Sequence, residues 1–244
     1  MTELLNVMEV CKSFQGNLAV DHASLTVEDG SITGLIGANG AGKTTLFNCV
    51  SGYYRATSGR IFFQDREIQR LQSQKLCRMG IARTFQIVKP FGLLSVLDNA
   101  VVGGFNRASG RKEAYETAEK CLDIVGLTDK AQVPAAVLNA GEQRKLELAR
   151  ALATRPRLLL LDEVMAGLMP AESKEMIALI EKVHEGGITI FMIEHIMPVI
   201  MGLSHHIYVM ERGKIIADGS PKEVADNPRV IASYLGKGTG GRVC

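Results

Sequence analysis

Eight residues, Gly37-Ala38-Asn39-Gly40-Ala41-Gly42-Lys43-Thr44, carry the spacing GxxxxGK[ST] between a short apolar run, Leu35-Ile36, and an apolar helix start, Leu46-Phe47. Glycines at 37, 40 and 42 let the backbone fold tightly enough for several N–H groups to face one anion, and the positive end of the following helix adds to the field. In such a loop Lys43 reaches the β- and γ-phosphates, and the Thr44 hydroxyl can ligate Mg²⁺. This is the chemistry of a nucleoside triphosphate site, with Gly37, Asn39, Gly40, Ala41, Gly42, Lys43, Thr44 and Thr45 as its contact set.

A second constellation lies downstream. Leu158-Leu159-Leu160-Leu161 is an apolar strand that delivers two adjacent carboxylates, Asp162 and Glu163, at its C-terminal end, where ligands collect in open α/β sheets. Asp162 suits a Mg²⁺ shell, directly or through water, and Glu163 suits a group that orients and polarises attacking water. The bland alternative is an acidic pair capping the next helix. His195 follows the apolar run Ile188 to Ile193, so its imidazole could approach the γ-phosphate, although a lone histidine is more often structural. Gln86 is in isolation an ordinary polar residue. Between these sits Leu138-Asn139-Ala140-Gly141-Glu142-Gln143-Arg144, small residues opening a helix whose inner face is Leu146, Ala149 and Leu152.

The elements that must position these groups change character along the chain. Leu5 and Val7, then Ala23, Leu25 and Val27, show the period of two of half-buried strands, and Gly59 to Phe63 adds another, so an antiparallel element surrounds the phosphate loop. From Lys112 to Val125, Ala114, Ala118, Cys121, Leu122 and Val125 fit one helix face, and residues 87–137 read as a mostly helical insertion. The last third alternates buried parallel strands with helices, one of them with Met176, Ile177, Ile180 and Val183 inward. Ser220-Pro221-Lys222-Glu223 is a capping box, Asn227-Pro228 starts a final helix that Gly236 ends, and 237–244 is a glycine-rich, flexible tail.

Composition narrows the class. At 244 residues the chain is a single domain, 1–244, large enough for a full core, with a nucleotide-binding core over 1–86 and 138–236 around the insertion. A net charge of +2 selects no partner, and 5% aromatics with no Trp argue against a base-stacking nucleic-acid surface. Five scattered cysteines without a CxxC pair read as reduced thiols of a cytosolic protein. No apolar stretch approaches the roughly eighteen residues of a membrane span, and Met1-Thr2-Glu3-Leu4 opens no secretory signal. A mean hydropathy of +0.10 suits a sheet covered on both faces, with an apolar patch left over for a partner. The stretch from about Gln86 through Asn99, with Pro90, Phe91, Leu93, Leu94 and Val96, is more apolar than a loop-and-helix surface needs and is the expected place for a partner's short helix.

The order of phosphate loop, Gln86, the Leu138–Glu142 signature, Asp162-Glu163 and His195 resembles the nucleotide-binding subunits of ATP-binding cassette (ABC) transporters across nearly the whole chain. That resemblance implies an α/β P-loop NTPase fold of the ABC-cassette type, a mixed sheet core with an antiparallel β subdomain and a helical subdomain insertion. It makes Phe14 the platform for adenine, Gln86 the Gln-loop ligand that senses Mg²⁺, Asn139, Ala140, Gly141 and Glu142 the signature contacts to ATP held by the opposite subunit, and His195 the switch histidine. Lys43, Gln86, Glu163 and His195 form the catalytic set; Thr44, Gln86 and Asp162 attend the metal.

Gly80-Ile81-Ala82-Arg83-Thr84-Phe85-Gln86, Ala166 to Pro170 and the ending Asn227 to Gly236 look like the branched-chain amino acid (Liv-type) importer ATPases. The implied protein hydrolyses ATP with Mg²⁺ as a homodimer or as a heterodimer with a paralogue, at the cytoplasmic face of the inner membrane. It drives two integral membrane permease subunits, serves an extracytoplasmic solute-binding protein indirectly and takes no nucleic acid. A soluble ABC ATPase of an assembly system, such as iron–sulfur cluster assembly, is the alternative. Four positions depart from the pattern: Asn139 and Ala140 replace the Ser and first Gly of LSGGQ, Glu142 replaces its Gln, and Met169 stands where many cassettes place an aspartate.

Overall fold

Two-residue turns with positive φ at both central positions set the hairpins. Gln15 (φ 48) and Gly16 (φ 87) join β1 (Glu3–Phe14) to β2 (Asn17–Glu28). This turn type matches the right-handed twist of the strands that it joins. Strand β3 (Ile32–Ile36), buried throughout, leads into the phosphate loop and α1 (Lys43–Val50). Then β4 (Ser58–Phe63) turns at Gln64 and Asp65, again with positive φ, into the short β5 (Arg66–Glu67). The antiparallel sheet has the order β2-β1-β4-β5. Its alternation is not continuous, because register shifts after Val7 in both of β1's pairings make Val7 and then Val10 the buried residues. An extra residue at a bulge moves the next side chain to the other face.

The chain continues through α2 (Ser73–Met79), β6 (Ile81–Arg83), α3 (Val96–Gly104), α4 (Arg111–Val125), α5 (Ala140–Ala153), β7 (Leu158–Asp162), α6 (Pro170–Glu185) and β8 (Thr189–Ile193). β6 and β7 pair in parallel, and β7 lies between β6 and β8. Helix α4 buries Ala114, Ala118, Cys121, Leu122 and Val125, the face expected from its spacing. In α6 the buried set is Met176, Leu179, Ile180 and Val183, so Leu179 takes the inward place expected of Ile177. α3, α4 and α5 pack on one another, and the helical layer therefore extends past residue 137 into the helix opened by Asn139.

The last stretch holds α7 (Met197–Leu203), β9 (His206–Glu211), β10 (Lys214–Gly219), α8 (Pro221–Ala225) and α9 (Pro228–Leu235). The capping box at Ser220 forms as read, its hydroxyl accepting the Glu223 N–H while the Glu223 carboxylate accepts the Ser220 N–H. β9 runs parallel to β3 and antiparallel to β10, a mixed sheet. The computed structural model describes residues 2–85 and 89–235, which leaves Gln86, Gly236 as the end of the last helix and the tail 237–244 outside the described residues. Within the described chain, the part up to Arg70 and from Ile193 onward forms one unit, and Leu71–Met192 forms a second.

Candidate active site

In the first unit the phosphate loop is braced by backbone on two sides. Gly42, the N-cap of α1, has φ +105, and a Cβ there would stand 2.3 Å from the Ala19 carbonyl oxygen on β2. At Gly37 a Cβ would stand 2.1 Å from the carbonyl oxygen of Met210 on β9. Only glycine fits either place. The Gly213 N–H, in the turn between β9 and β10, donates to the Ala41 carbonyl at 2.8 Å, while the Gly213 carbonyl accepts the Asp21 N–H at 2.9 Å.

Lys43 is 5% exposed, and its ammonium folds back to donate to the carbonyls of Gly37 (2.6 Å) and Ala38 (3.1 Å) of its own loop. Ala38, Asn39 and Gly40 form an exposed crest, with Thr44 exposed at the head of α1. A lysine held by carbonyls over a crest of open amides supplies a fixed cation and several donors for a polyanion.

Phe14 ends β1 and is 38% exposed, so it is no core aromatic. The Tyr54 ring meets it edge-on at 5.1 Å and 76°, and the Lys12 ammonium stands 4.8 Å from its centroid. These contacts fix the orientation of the ring at the surface. His195 is exposed just beyond the end of β8, in the same unit as the phosphate loop.

The second unit holds the acidic pair and the signature segment. Asp162 ends β7, 1% exposed, and its Oδ2 accepts a hydrogen bond from Arg83 Nη2 at 2.7 Å in a buried ion pair. Strand pairing creates that contact: Arg83 lies beside Leu160 in the parallel register, and Asp162 is two residues further along the same face. Thr84, fully buried, ties the ends together by donating its N–H to the Leu160 carbonyl (2.9 Å) and accepting the Asp162 N–H on its hydroxyl (3.3 Å). Glu163 takes φ +52, a left-handed backbone costing about 1–2 kcal/mol for a residue with a Cβ. Helix α6 begins only at Pro170, so the pair caps no helix.

Asn139 is the N-cap of α5: its Oδ1 accepts the Glu142 N–H at 2.9 Å, and the Glu142 carboxylate accepts the Asn139 N–H at 3.1 Å. Glu142 also pairs with Lys130, whose hydrogen bond holds that carboxyl below the usual range against the opposing effect of burial. Asn139 thus meets the capping need that a serine would meet, and the extra negative charge is drawn back onto Asn139 and Lys130. Met169, the N-cap residue of α6, is exposed and gives its N–H to Glu172 at 2.9 Å.

A family model described as "ABC transporter" matches residues 20–166, which include the phosphate loop, the signature segment and the acidic pair. The chain belongs to the ABC transporter family. A second model, "Branched-chain amino acid ATP-binding cassette transporter", matches residues 214–239 of this cassette. The cassette is 42% identical over 250 residues to the high-affinity branched-chain amino acid transport ATP-binding protein BraF of Pseudomonas aeruginosa, covering 96% of this chain and 98% of that one. It is 40% identical over 252 residues to LivG of Escherichia coli K12, with the same coverages. A nucleotide-free ATP-binding cassette from an ABC transporter superposes with a TM-score of 0.88 at 30% identity, over 97% of this chain and all of that one. The α/β cassette fold and the ATPase activity coupled to transport follow from this membership.

The fold brings Phe14, the phosphate loop and His195 into one unit and Asp162, Glu163 and Asn139 to Glu142 into the other. Two structural residues of the cassette were not picked out from the sequence. Arg83 is one, because only parallel pairing of strands far apart in the chain sets it beside Asp162. Asn99 is the other: fully buried on α3, it accepts the Phe91 N–H (2.9 Å) and donates to the carbonyls of Phe91 (3.0 Å) and Ser95 (2.9 Å). A polar residue inside an apolar helix was the available hint.

Proposed function

We propose that this cassette powers import of branched-chain or related amino acids, as one of two ATPase subunits bound peripherally to a pair of membrane permeases at the cytoplasmic face. The observation that carries the substrate class is the branched-chain match at residues 214–239, outside residues 20–166 of the general family match. The ATPase partner is a second copy or a paralogue. An extracytoplasmic solute-binding protein delivers the solute. Among the described residues no helix is long and apolar enough to cross a membrane, which fits a subunit that works through separate permeases.

Each residue then has one task. Phe14 stacks on adenine; Lys43 and the amides of Gly37, Asn39, Gly40, Ala41 and Gly42 hold the β- and γ-phosphates, with Thr44 and Thr45 at the head of α1. The hydroxyl of Thr44, the side-chain oxygen of Gln86 and the carboxylate of Asp162 are hard oxygen donors of the kind that Mg²⁺ prefers. Bound Mg²⁺ would neutralise charge across the β- and γ-phosphates. Glu163 orients the attacking water and accepts its proton, and His195 contacts the γ-phosphate. Asn139, Ala140, Gly141 and Glu142 offer the head of α5 to ATP on the opposite subunit, where the helix-terminus amides stabilise developing charge. Binding closes the pair, and hydrolysis reopens it.

The permease docks on the segment stapled by Asn99. Phe91, Leu93 and Leu94 are exposed there, Leu93 by 99%. Val96, expected from its sequence position to share this surface, is fully buried and belongs to the core. An apolar side chain left in water on a loop fixed by a buried asparagine is the mark of an interface. The test is co-purification from the native membrane, followed by uptake in proteoliposomes loaded with ATP. ATP-dependent leucine uptake by the wild type, and loss of the permease from Leu93→Asp with ATP binding intact, are expected. Recovery of soluble assembly factors in place of permeases would overturn the proposal.

A further inference from the structure

Helix α5, whose head is the signature segment, carries Arg144, Glu147 and Arg150 at successive steps of three: the first two hold Phe85, and the third holds Lys89. Glu147 accepts the Phe85 N–H at 2.8 Å, and Arg144 donates to the Phe85 carbonyl at 3.1 Å. The helix thus satisfies both backbone groups of the residue before Gln86. Arg144 also donates to the Ala166 carbonyl at 3.4 Å, in the turn that follows Glu163. One helical turn past Glu147, Arg150 donates to the Lys89 carbonyl at 3.3 Å and lays its guanidinium 4.8 Å from the centre of the Phe91 ring.

These are expensive contacts to rearrange. Glu147 is 7% exposed, and burial raises its carboxyl pKa, while burial lowers that of Arg150. A buried carboxylate that holds a backbone N–H resists sliding, because a shifted helix would leave the Glu147 charge inside without its donor. α5 spans about 9 Å between Arg144 and Arg150, so the stripe joins both flanks of residues 86–88 to one rigid rod.

Resting on the transport function proposed above, we propose that Arg144, Glu147 and Arg150 are positioning residues that lock the signature helix to Phe85, Lys89 and Phe91, so that signature and permease-docking loop move as one body. They touch neither nucleotide nor solute. Their effect is confined to coupling: the stimulation of ATP hydrolysis when the assembled transporter receives its solute-loaded binding protein.

The experiment compares hydrolysis by the isolated cassette with hydrolysis by the assembled transporter plus leucine-loaded binding protein, for the wild type and four variants. Arg150→Met and Glu147→Ala should keep the isolated rate and the KM for ATP, yet lose stimulation by about fivefold or more, the lower end of typical allosteric coupling. Arg150→Lys and Glu147→Gln retain a donor and an acceptor respectively, and should recover at least about half of it on the same scale. Stimulation equal to the wild type in Arg150→Met and Glu147→Ala would overturn the inference. So would an equal loss in all four variants accompanied by a lower isolated rate, which is the pattern of simple misfolding. A wild-type transporter that shows no stimulation at all would overturn the transport function itself, an outcome separate from either of these.

Discussion

The phosphate-loop unit and the signature unit place charge by different means. In the first, main chain does the work: Gly37 and Gly42 lie against the carbonyls of Met210 and Ala19, Gly213 clips Ala41, and even Lys43 is held by carbonyls of its own loop. In the second, side chains do it: Arg83 holds Asp162, Lys130 and Asn139 hold Glu142, and Glu147 and Arg144 hold Phe85. A backbone cradle presents the same donors whatever the neighbouring side chains are, and suits a phosphate chain common to every nucleoside triphosphate. A side-chain network is built from residues that can differ between relatives, which suits the unit carrying the signature segment.

The contrast breaks most sharply at Arg83. Replacing it with Leu leaves the Asp162 carboxylate buried without its guanidinium, and removal of one partner from a buried pair costs about 3–5 kcal/mol. Urea unfolding should show that loss, and a change below about 1 kcal/mol would put the pair in the class of surface bridges. Phe14→Ala touches the first unit where a side chain does matter. ATP and ADP affinity should fall together by about tenfold, since base stacking is worth about 1–3 kcal/mol and ignores the γ-phosphate. Equilibrium binding of both nucleotides checks this, and a loss confined to ATP would remove Phe14 from the adenine site.

The smallest effect separates a charge that anchors a helix from one that serves the site. Glu113 at the head of α4 accepts the Ser109 N–H (2.8 Å) and hydroxyl (2.7 Å) and pairs with Arg155 (2.8 Å), which together lower its carboxyl to about 2. A lowered folded pKa gives stability that is present above the unfolded value near 4.5 and is lost as pH falls toward about 2. Glu113→Gln should therefore flatten the acid limb of thermal stability across that window and leave neutral-pH ATP hydrolysis unchanged. An unaltered acid limb would show that the anchor forms without its charge.

What was legible in the sequence follows the same division. The phosphate loop, the apolar strand before Asp162, the α4 face and the Ser220 capping box are local patterns, each decided within about a dozen neighbouring residues. The phase change after Val7 was hidden, because a bulge is settled by the partner strands and not by the alternating residues themselves. Leu179 in place of Ile177, and Val96 inside the core, were hidden because packing against other elements chooses between apolar residues on adjacent helix faces. Arg83 and Glu147 were hidden most deeply: their partners lie 79 and 62 positions away, so nothing short of the fold brings them together.

The central claim is that nucleotide binding by the phosphate loop and hydrolysis by Glu163 are separable steps of one ATPase cycle. The most direct measurement follows labelled ATP on the Glu163→Gln variant, with the mass of the complex read by light scattering. The account predicts that ATP stays bound and uncleaved for many wild-type turnovers, on a complex of two cassettes. Release of labelled phosphate at the wild-type rate would contradict it.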